Sequence, residues 1–229
     1  MFIFAHRGVS GHFPENTLKA VQAALDCDAD GIEIDVYAVD GELVVIHDRE
    51  LNRTTNGTGE LEDYSLPQLQ QLDAGQGEKI PTLWQVLKLV QNRCVLNIEL
   101  KGHNTAELLV KLLHKARGEL GTDWSTLLIS SFHHPLLQQI RTLAPELAIG
   151  ALTASIPLDY CAFAAELGAV SVNCDRAFID ERMVKDAKER GLKVFVYTVN
   201  NEREAIRLQQ LGVDGIFCNF PHEAKSWFD

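Results

Sequence analysis

The chain alternates between two patterns of hydrophobic positions. Short apolar runs rich in β-branched residues predict buried strands, and apolar residues recurring every three or four positions between them predict amphipathic helices. The strand-like runs lie at residues 2–7, 31–39, 94–101, 126–132, 147–153, 169–175, 193–199 and 215–220. The helical patterns lie at residues 16–27, 82–92, 105–120, 134–144, 158–168, 180–191 and 201–212. Gly168, Gly191 and Gly212 end three of these helices, in the position of a C-terminal cap.

Eight strands alternating with helices predict parallel βα units. The strands are continuously apolar, which is typical of a sheet covered on both faces. Eight such units in 229 residues predict a (β/α)₈ TIM barrel formed as a single domain over residues 1–229. A doubly wound open sheet is the alternative. The first strand is not followed by a GxGxxG sequence, which disfavours a dinucleotide-binding fold.

One segment interrupts this alternation. Asp40 and Gly41 separate two strand-like runs, and a DG pair in that position predicts a tight hairpin. We therefore expect residues 42–48 to fold back beside the second strand as an extra strand. Residues 49–80 then form a short polar insertion with turn chemistry and little core. The insertion is too short to be a separate domain.

The charge balance excludes some classes of partner. Lys and Arg number 21 against 32 Asp and Glu, which gives a formal net charge of −11. So acidic a chain is a poor candidate for nucleic-acid binding and repels anionic membranes. An anionic substrate would need positive charge supplied locally by a metal, an arginine or a lysine.

The cysteines indicate a reducing compartment. The five cysteines are unevenly spaced and contain no CxxC pair, and most lie in or beside apolar runs: Cys27, Cys94, Cys161, Cys174 and Cys218. No signal peptide is visible, and no apolar run has the length of a membrane span. We therefore expect a cytoplasmic protein with reduced thiols and no stable membrane association.

Carboxylates are concentrated near the ends of two predicted strands. Glu33 and Asp35 are two residues apart, so they share one face of a strand, and Glu99 and Lys101 repeat this spacing on another. Three carboxylates facing one small volume repel each other unless a cation binds. Oxygen ligands suit Mg²⁺ or Ca²⁺. In the alternative interpretation each carboxylate faces outward and pairs with a basic residue, but the repeated spacing favours the metal site.

Two histidines and two basic residues join these carboxylates at predicted strand ends. His6 and His47 can each donate or accept a proton near neutral pH. Arg7 offers a planar fork suited to phosphate, and Lys101 adds a second positive charge. Together these residues predict a cation-assisted phosphoryl-transfer site. Phe132 and Tyr197, also near strand ends, are candidates for the substrate pocket.

Six segments carry a resemblance to a known family: "AHRGVSGHFPENTLKA", "GIEIDVYAVDGELVVIHDRELNRTTNGTG", "NIELK", "ISSF", "YTVN" and "DGIFCNFP". Taken in order through nearly the whole chain, they resemble the glycerophosphodiester phosphodiesterase family. The combination of HRG and PENT followed by ExD and HD is more specific than any one piece.

The resemblance implies a TIM-barrel hydrolase that cuts glycerophosphodiesters to glycerol 3-phosphate and an alcohol. It implies an acid/base pair of His6 and His47, with either histidine as the base. It also implies metal ligands and phosphate contacts, which are respectively Glu33, Asp35 and Glu99, and Arg7 and Lys101. The attacking group is either water or the substrate's own glycerol hydroxyl. The short insertion favours a small, soluble diester as substrate.

The chain departs from the family pattern at two positions. Tyr197 stands where the family often has Trp, and Asn219 stands where an aspartate is common. Both differences bear on the shape of the alcohol or glycerol pocket.

Two other functions are compatible with a barrel of this kind. A phospholipase-type phosphodiesterase of the same barrel class would need an apolar rim or the disulfides of a secreted protein. A non-catalytic barrel that binds a metal or a phosphorylated ligand is disfavoured, because both histidines are present. The leaving alcohol, the metal used in the cell and the oligomeric state are left open.

Overall fold

Eight parallel strands close into a barrel in the computed structural model, which describes residues 1–228. The strands in chain order are β1 (Phe2–His6), β2 (Gly31–Val39), β3 (Glu42–Val45), β4 (Val95–Leu100), β5 (Leu127–Ser131), β6 (Ala148–Thr153), β7 (Ser171–Asp175), β8 (Lys193–Tyr197) and β9 (Gly215–Cys218). Strand β1 pairs with both β2 and β9, and this double pairing closes the barrel. The predicted single-domain TIM barrel is confirmed, and the open-sheet alternative is wrong.

Helices surround the barrel in the predicted order. They are α1 (Leu18–Asp26), α2 (Leu66–Leu69), α3 (Leu83–Val90), α4 (Thr105–Leu120), α5 (His134–Leu143), α6 (Ala162–Glu166), α7 (Glu181–Glu189), α8 (Glu202–Leu211) and α9 (Pro221–Lys225). The hydrophobic pattern does not predict the short α2 and α9. Helix α6 is much shorter than its pattern, because Tyr160 has a left-handed backbone with φ of 50° that a helix cannot contain.

The extra strand β3 lies outside the closed barrel, as the hairpin signal predicts. It pairs antiparallel with β2, and Val39 is in register with Glu42. Asp40 and Gly41 have φ values of 50° and 76°, and two left-handed residues in succession match the twist of a two-residue hairpin. The hairpin carries the chain on to His47.

The insertion at residues 49–80 has a core of its own, so the expectation of little core is wrong. Leu51, Leu61 and Leu69 are each at most 1% exposed. They pack in a hydrophobic cluster with residues of the β2–β3 hairpin, including Val44 and Ile46. These leucines are spaced too irregularly to show a helical or strand period, so the hydrophobic pattern does not reveal them. The insertion is therefore anchored to the hairpin.

Aromatic side chains form one layer of the barrel interior. Phe4 stacks on Phe217 with ring centres 4.6 Å apart and meets Phe195 edge-on at 5.2 Å. Leu128 completes this cluster. The larger hydrophobic cluster combines strand residues such as Ile32 with helix residues such as Leu109. This layered filling leaves the polar side chains to the carboxyl ends of the strands.

All five cysteines are free thiols, and Cys161, Cys174 and Cys218 are buried. Within residues 1–228, no helix combines the length and the apolar character needed to cross a membrane.

Candidate active site

Strand register brings the predicted site residues to one end of the barrel. His6 on β1 is in register with Glu33 on β2, and Asp35 is in register with Glu99 on β4. A cavity of about 460 Å³ opens there. Its walls include His6, Arg7, Glu33, His47, Glu99, Lys101, Phe132 and Tyr197. The buried Asp35 joins the group through its contacts with Arg7 and Lys101.

The three predicted carboxylates converge. Each of Glu33, Asp35 and Glu99 offers one oxygen, and these oxygens lie within 4.8 Å of one another. Burial, and then the charges of Asp35 and Glu99, raise the pKa of Glu33 well above its ordinary value. Burial and the charge of Asp35 raise the pKa of Glu99 to about 7. Glu33 Oε1 is buried and has no hydrogen-bond partner among residues 1–228. These residues fit a divalent cation held by oxygen ligands.

Two basic side chains partly balance the carboxylates. Arg7 Nε lies 3.3 Å from Asp35 Oδ2, and Lys101 Nζ lies 3.8 Å from Asp35 Oδ1. Lys101 Nζ also donates to Glu99 Oε1 at 3.0 Å. When all three carboxylates are ionised, three negative charges face two positive ones. A divalent cation would change the balance to one net positive charge, which matches the single negative charge of a phosphodiester.

A tight turn after β1 places Arg7. Arg7 and Gly8 have left-handed φ values of 57° and 76°. A Cβ on Gly8 would lie 2.5 Å from the carbonyl carbon of Ala20, so helix α1 packs directly against the turn. The turn aims the backbone N–H of Arg7 at Glu33 Oε2, to which it donates at 3.0 Å. A side chain at position 8 would clash with helix α1, so the HRG sequence requires glycine there.

His6 is held by the last strand-end segment of the barrel. Its Nδ1 lies 2.8 Å from Asn219 Oδ1, and its Nε2 lies 3.9 Å from Glu33 Oε2. The carboxamide oxygen accepts from Nδ1–H and leaves Nε2 toward the carboxylates. Burial, and then the charge of Arg7, lower the pKa of His6 to about 4. The structure thus gives Asn219 a role on His6, where the sequence pointed to the alcohol or glycerol pocket.

His47 reaches the same cavity from the segment after β3. Its Nδ1 is 2.6 Å from Asp48 Oδ1, and its Nε2 is 3.2 Å from Lys101 Nζ. Burial lowers the pKa of His47. Both histidines therefore have Nδ1 engaged by a side-chain oxygen and Nε2 on the side of the carboxylate and lysine groups.

Two neighbouring polar residues of the PENT segment also contact the site, and the strand-end pattern does not predict them. Asn16 is 3% exposed, donates through Nδ2 to Asp35 Oδ2 at 2.9 Å, and accepts the backbone N–H of Asp35 at 3.2 Å. Glu15 Oε1 accepts a hydrogen bond from Arg7 NH1 at 2.8 Å. Both residues belong to a segment that carries the family resemblance, and this is the one sign in the sequence that they contribute to the site.

The two predicted pocket residues meet at the mouth of the cavity. The rings of Phe132 and Tyr197 are perpendicular, with centres 5.8 Å apart. Phe132 is 45% exposed, and its ring centre lies 5.9 Å from Lys101 Nζ. Tyr197 donates its hydroxyl to the carbonyl of Thr153 at 2.9 Å. This hydrogen bond fixes the tyrosine in the cavity wall.

Comparisons with a family model and with known proteins all point to one family. Residues 6–223 match the model of the Glycerophosphoryl diester phosphodiesterase family. A glycerophosphodiester phosphodiesterase of Caldanaerobacter subterraneus subsp. tengcongensis is 36% identical over 233 residues, covering 96% of this chain and 94% of that protein. A glycerophosphodiester phosphodiesterase of Bacillus altitudinis is 36% identical over 234 residues, covering 97% of this chain and 96% of that protein.

A solved structure supports the same relationship. An Oleispira antarctica phosphodiesterase, in complex with the product sn-glycerol-3-phosphate, superposes with a TM-score of 0.93 at 33% identity. The match covers 100% of this chain and 97% of that one.

Proposed function

This chain belongs to the glycerophosphoryl diester phosphodiesterase family and is a phosphodiester hydrolase; we propose that it cuts small glycerophosphodiesters with a divalent cation and two histidines. The products are glycerol 3-phosphate and an alcohol. The observation that carries the proposal is a single cavity combining two histidines with three converging carboxylates. The glycerol 3-phosphate bound to the Oleispira antarctica relative supports a product of this class.

The proposed metal ligands are Glu33, Asp35 and Glu99. Mg²⁺ and Ca²⁺ suit three carboxylates, because both are hard cations that prefer oxygen. A bound cation supplies charge stabilisation to the phosphoryl oxygens. The chain itself holds the three carboxylate oxygens close together, although their negative charges repel one another. Asn16 offsets that repulsion by donating to Asp35 at 2.9 Å.

Arg7 and Lys101 bind the substrate phosphate in this proposal. They contact opposite oxygens of Asp35, at 3.3 and 3.8 Å. Both side chains also line the cavity, so a phosphate bound there would have two positive groups within reach. Both side chains stabilise negative charge on the non-bridging oxygens as the attacking oxygen bonds to phosphorus.

His6 and His47 carry the protons. One Nε2 accepts the proton of the attacking hydroxyl as its oxygen bonds to phosphorus, and the other donates a proton to the leaving alcohol oxygen as its bond to phosphorus breaks. Asn219 and Asp48 hold the two Nδ1 atoms, at 2.8 and 2.6 Å. This arrangement turns both Nε2 atoms toward the carboxylate and lysine groups, with Lys101 Nζ 3.2 Å from that of His47. The scheme applies to attack by water and to attack by the substrate's glycerol hydroxyl.

Phe132 and Tyr197 contact the organic part of the substrate in this proposal. The protein acts in the cytoplasm on a small, soluble diester. The five free cysteines support a reducing compartment.

A lysophospholipid-type diester is a second candidate substrate, since apolar side chains are exposed near the mouth. Phe132, Ile156, Leu158 and Phe178 are each at least 40% exposed. They lie on segments that follow β5, β6 and β7, at the end of the barrel where the cavity opens. The sequence showed no such apolar rim. These side chains could contact an acyl chain.

One assay tests these statements. Hydrolysis would be measured on a panel of glycerophosphodiesters and one lysophospholipid, with and without a chelator. We expect activity on the soluble diesters that is lost on chelation and restored by Mg²⁺ or Ca²⁺.

His114 lies on α4 against Trp124, with ring centres 4.8 Å apart. It is not a cavity residue, so His114→Ala is a control for alanine substitutions of His6 and His47. Full activity after exhaustive chelation would contradict metal dependence. Faster hydrolysis of the lysophospholipid than of the soluble diesters would contradict a small diester as the substrate.

A further inference from the structure

Arg53 lies in the insertion, yet its guanidinium group contacts both sides of the active site. Its NH1 and NH2 donate to the two carboxylate oxygens of Glu15, at 2.9 and 2.8 Å. Its Nε donates to Asp48 Oδ2. One planar group thus binds one carboxylate from the β1–α1 connection and another from the segment after β3.

Each of these carboxylates also holds a group of the proposed site. Glu15 Oε1 accepts from Arg7 NH1 at 2.8 Å. Asp48 uses its other oxygen, Oδ1, to engage His47 Nδ1 at 2.6 Å. Arg53 is therefore one residue removed from the proposed phosphate ligand and one residue removed from a proposed proton carrier.

The positive charge of Arg53 keeps the carboxylates of Glu15 and Asp48 close to each other. Glu15 and Asp48 are brought together on one guanidinium group, and without it two negative carboxylates would repel each other. Movement of Asp48 would release His47 from its orientation, and movement of Glu15 would alter the position of Arg7. Arg53 thus sets where His47 and Arg7 lie relative to each other.

The insertion supports Arg53 rigidly enough for this function. Leu51, two residues earlier, is fully buried. Its backbone N–H donates to the carbonyl of Gly59 at 2.9 Å, and its own carbonyl accepts from the N–H of Thr55 at 3.1 Å. Arg53 therefore projects from a closed turn anchored in the core of the insertion.

We propose that Arg53 is a positioning residue for phosphodiester hydrolysis, which fixes His47 and Arg7 relative to each other through Asp48 and Glu15. The inference rests on the proposed function, because it assumes that His47 and Arg7 act on the substrate. It also gives the insertion a part in catalysis.

Arg49 provides a matched control in the same insertion. Its side chain is 55% exposed, against 49% for Arg53. It also pairs with two carboxylates, Glu60 at 3.0 Å and Glu62 at 2.9 Å. Both of these partners lie within the insertion. Arg49→Gln therefore removes a comparable pair of surface ion pairs without touching the site.

The first test compares kcat on one soluble glycerophosphodiester. We expect Arg53→Gln to lower kcat about 10-fold or more, by analogy with the outer-shell partners that orient metal ligands. Arg49→Gln should keep a kcat close to that of the unmodified protein. It should change the melting temperature about as much as Arg53→Gln does. Arg53→Lys should also lose several-fold in kcat, because an ammonium group cannot reproduce the planar fork. Unchanged kcat in Arg53→Gln, or in Arg53→Lys if the glutamine variant does not fold, would overturn the proposal.

The second test separates positioning from a merely structural effect. In a His47→Ala background, Arg53→Gln should lower kcat/KM by a smaller factor than in the unmodified protein, because one of its two targets is gone. Equal factors in both backgrounds would contradict positioning of His47. If the unmodified protein hydrolyses none of the diesters, the proposed function fails. If it is active and Arg53→Gln matches it, only this inference fails.

Discussion

The two proposed proton carriers have partners of different charge. His6 is held by the neutral carboxamide of Asn219, whereas His47 is held by the carboxylate of Asp48. A carboxylate stabilises a protonated imidazole, and a carboxamide mainly fixes its orientation and tautomer. The two histidines thus share a geometry and differ in electrostatics.

Substitution of Asn219 tests whether orientation of His6 matters. Leucine has nearly the same shape but removes the oxygen that accepts from Nδ1. We expect Asn219→Leu to lower kcat about 10-fold or more, by analogy with the outer-shell partners that orient metal ligands. Steady-state kinetics on a soluble diester would measure this loss. Asn219→Asp keeps an acceptor and should retain more activity; equal activity of the leucine variant and the unmodified protein would contradict the role.

The acid side of the stability profile depends on Glu15. Burial opposes its charge, but hydrogen bonds from Arg53 and Arg7 outweigh burial and lower the pKa of Glu15 to about 2 from 4.5. The folded state therefore binds fewer protons than the unfolded state between these values. This contribution to the free energy of unfolding is present above pH 4.5 and is lost as the pH falls toward 2.

Urea unfolding between pH 3 and pH 6 would measure that contribution. Glu15→Gln cannot ionise, so its free energy of unfolding should rise less steeply with pH than that of the unmodified protein. Identical slopes for the two proteins would show that Glu15 does not carry the effect.

Most site residues could be predicted because they lie at strand ends in the sequence. Glu33 and Asp35 share a strand face by spacing alone. The partners Asn219 and Arg53 could not be predicted in the same way. Asn219 is 213 residues from His6, and Arg53 is 38 residues from Glu15. Those contacts depend on barrel closure and on the fold of the insertion.

Among the elements, the turn after β1 depends on a single residue, Gly8. Gly8 and Gly41 both have φ of +76°, but only Gly8 has neighbours where a Cβ would lie. Gly41→Ala should therefore cost about 1–2 kcal/mol, the price of a left-handed L-residue. Gly8→Ala adds a backbone clash at 2.5 Å and should cost distinctly more.

Urea denaturation of the two alanine variants would test this difference. We also expect Gly8→Ala to lower kcat, because relief of the clash would move Arg7. Gly41→Ala should leave kcat unchanged, since its turn lies outside the cavity. Equal losses of stability in the two variants would contradict the steric argument.

Elements with a regular period were predicted well, and irregular ones were not. Helix α4 spans Thr105–Leu120, the same residues as its pattern. The core of the insertion was missed because Leu51, Leu61 and Leu69 follow no period. Backbone conformation is also invisible in a hydrophobic pattern, and the left-handed Tyr160 shortened α6 for that reason.

For the whole molecule, cation binding should couple to folding. The three converging carboxylates repel one another in the folded state, and a cation that binds them stabilises that state by mass action. Mg²⁺ or Ca²⁺ at 100 times its dissociation constant should add about 2.7 kcal/mol to the free energy of unfolding. Calorimetry with and without the cation would measure the accompanying rise in melting temperature.

Glu99→Gln should reduce this rise, because it removes one charged ligand. No rise with either cation would argue against a metal site at these carboxylates.

The overall architecture could be predicted from the alternation of strand and helix patterns. Eight βα units leave few other ways to cover both faces of every strand. The alternation could not distinguish a closed sheet from an open one, because closure depends on the pairing of β1 with β9. That pairing joins the two ends of the chain and brings Asn219 to His6.

The most direct test of the central claim is kcat for His6→Ala and His47→Ala on one soluble glycerophosphodiester with saturating cation. Both histidines carry protons in the displacement, so each substitution should lower kcat about 100-fold or more. KM should change much less, because the lost interaction belongs mainly to the transition state. A kcat near that of the unmodified protein in both variants would contradict the two-histidine mechanism.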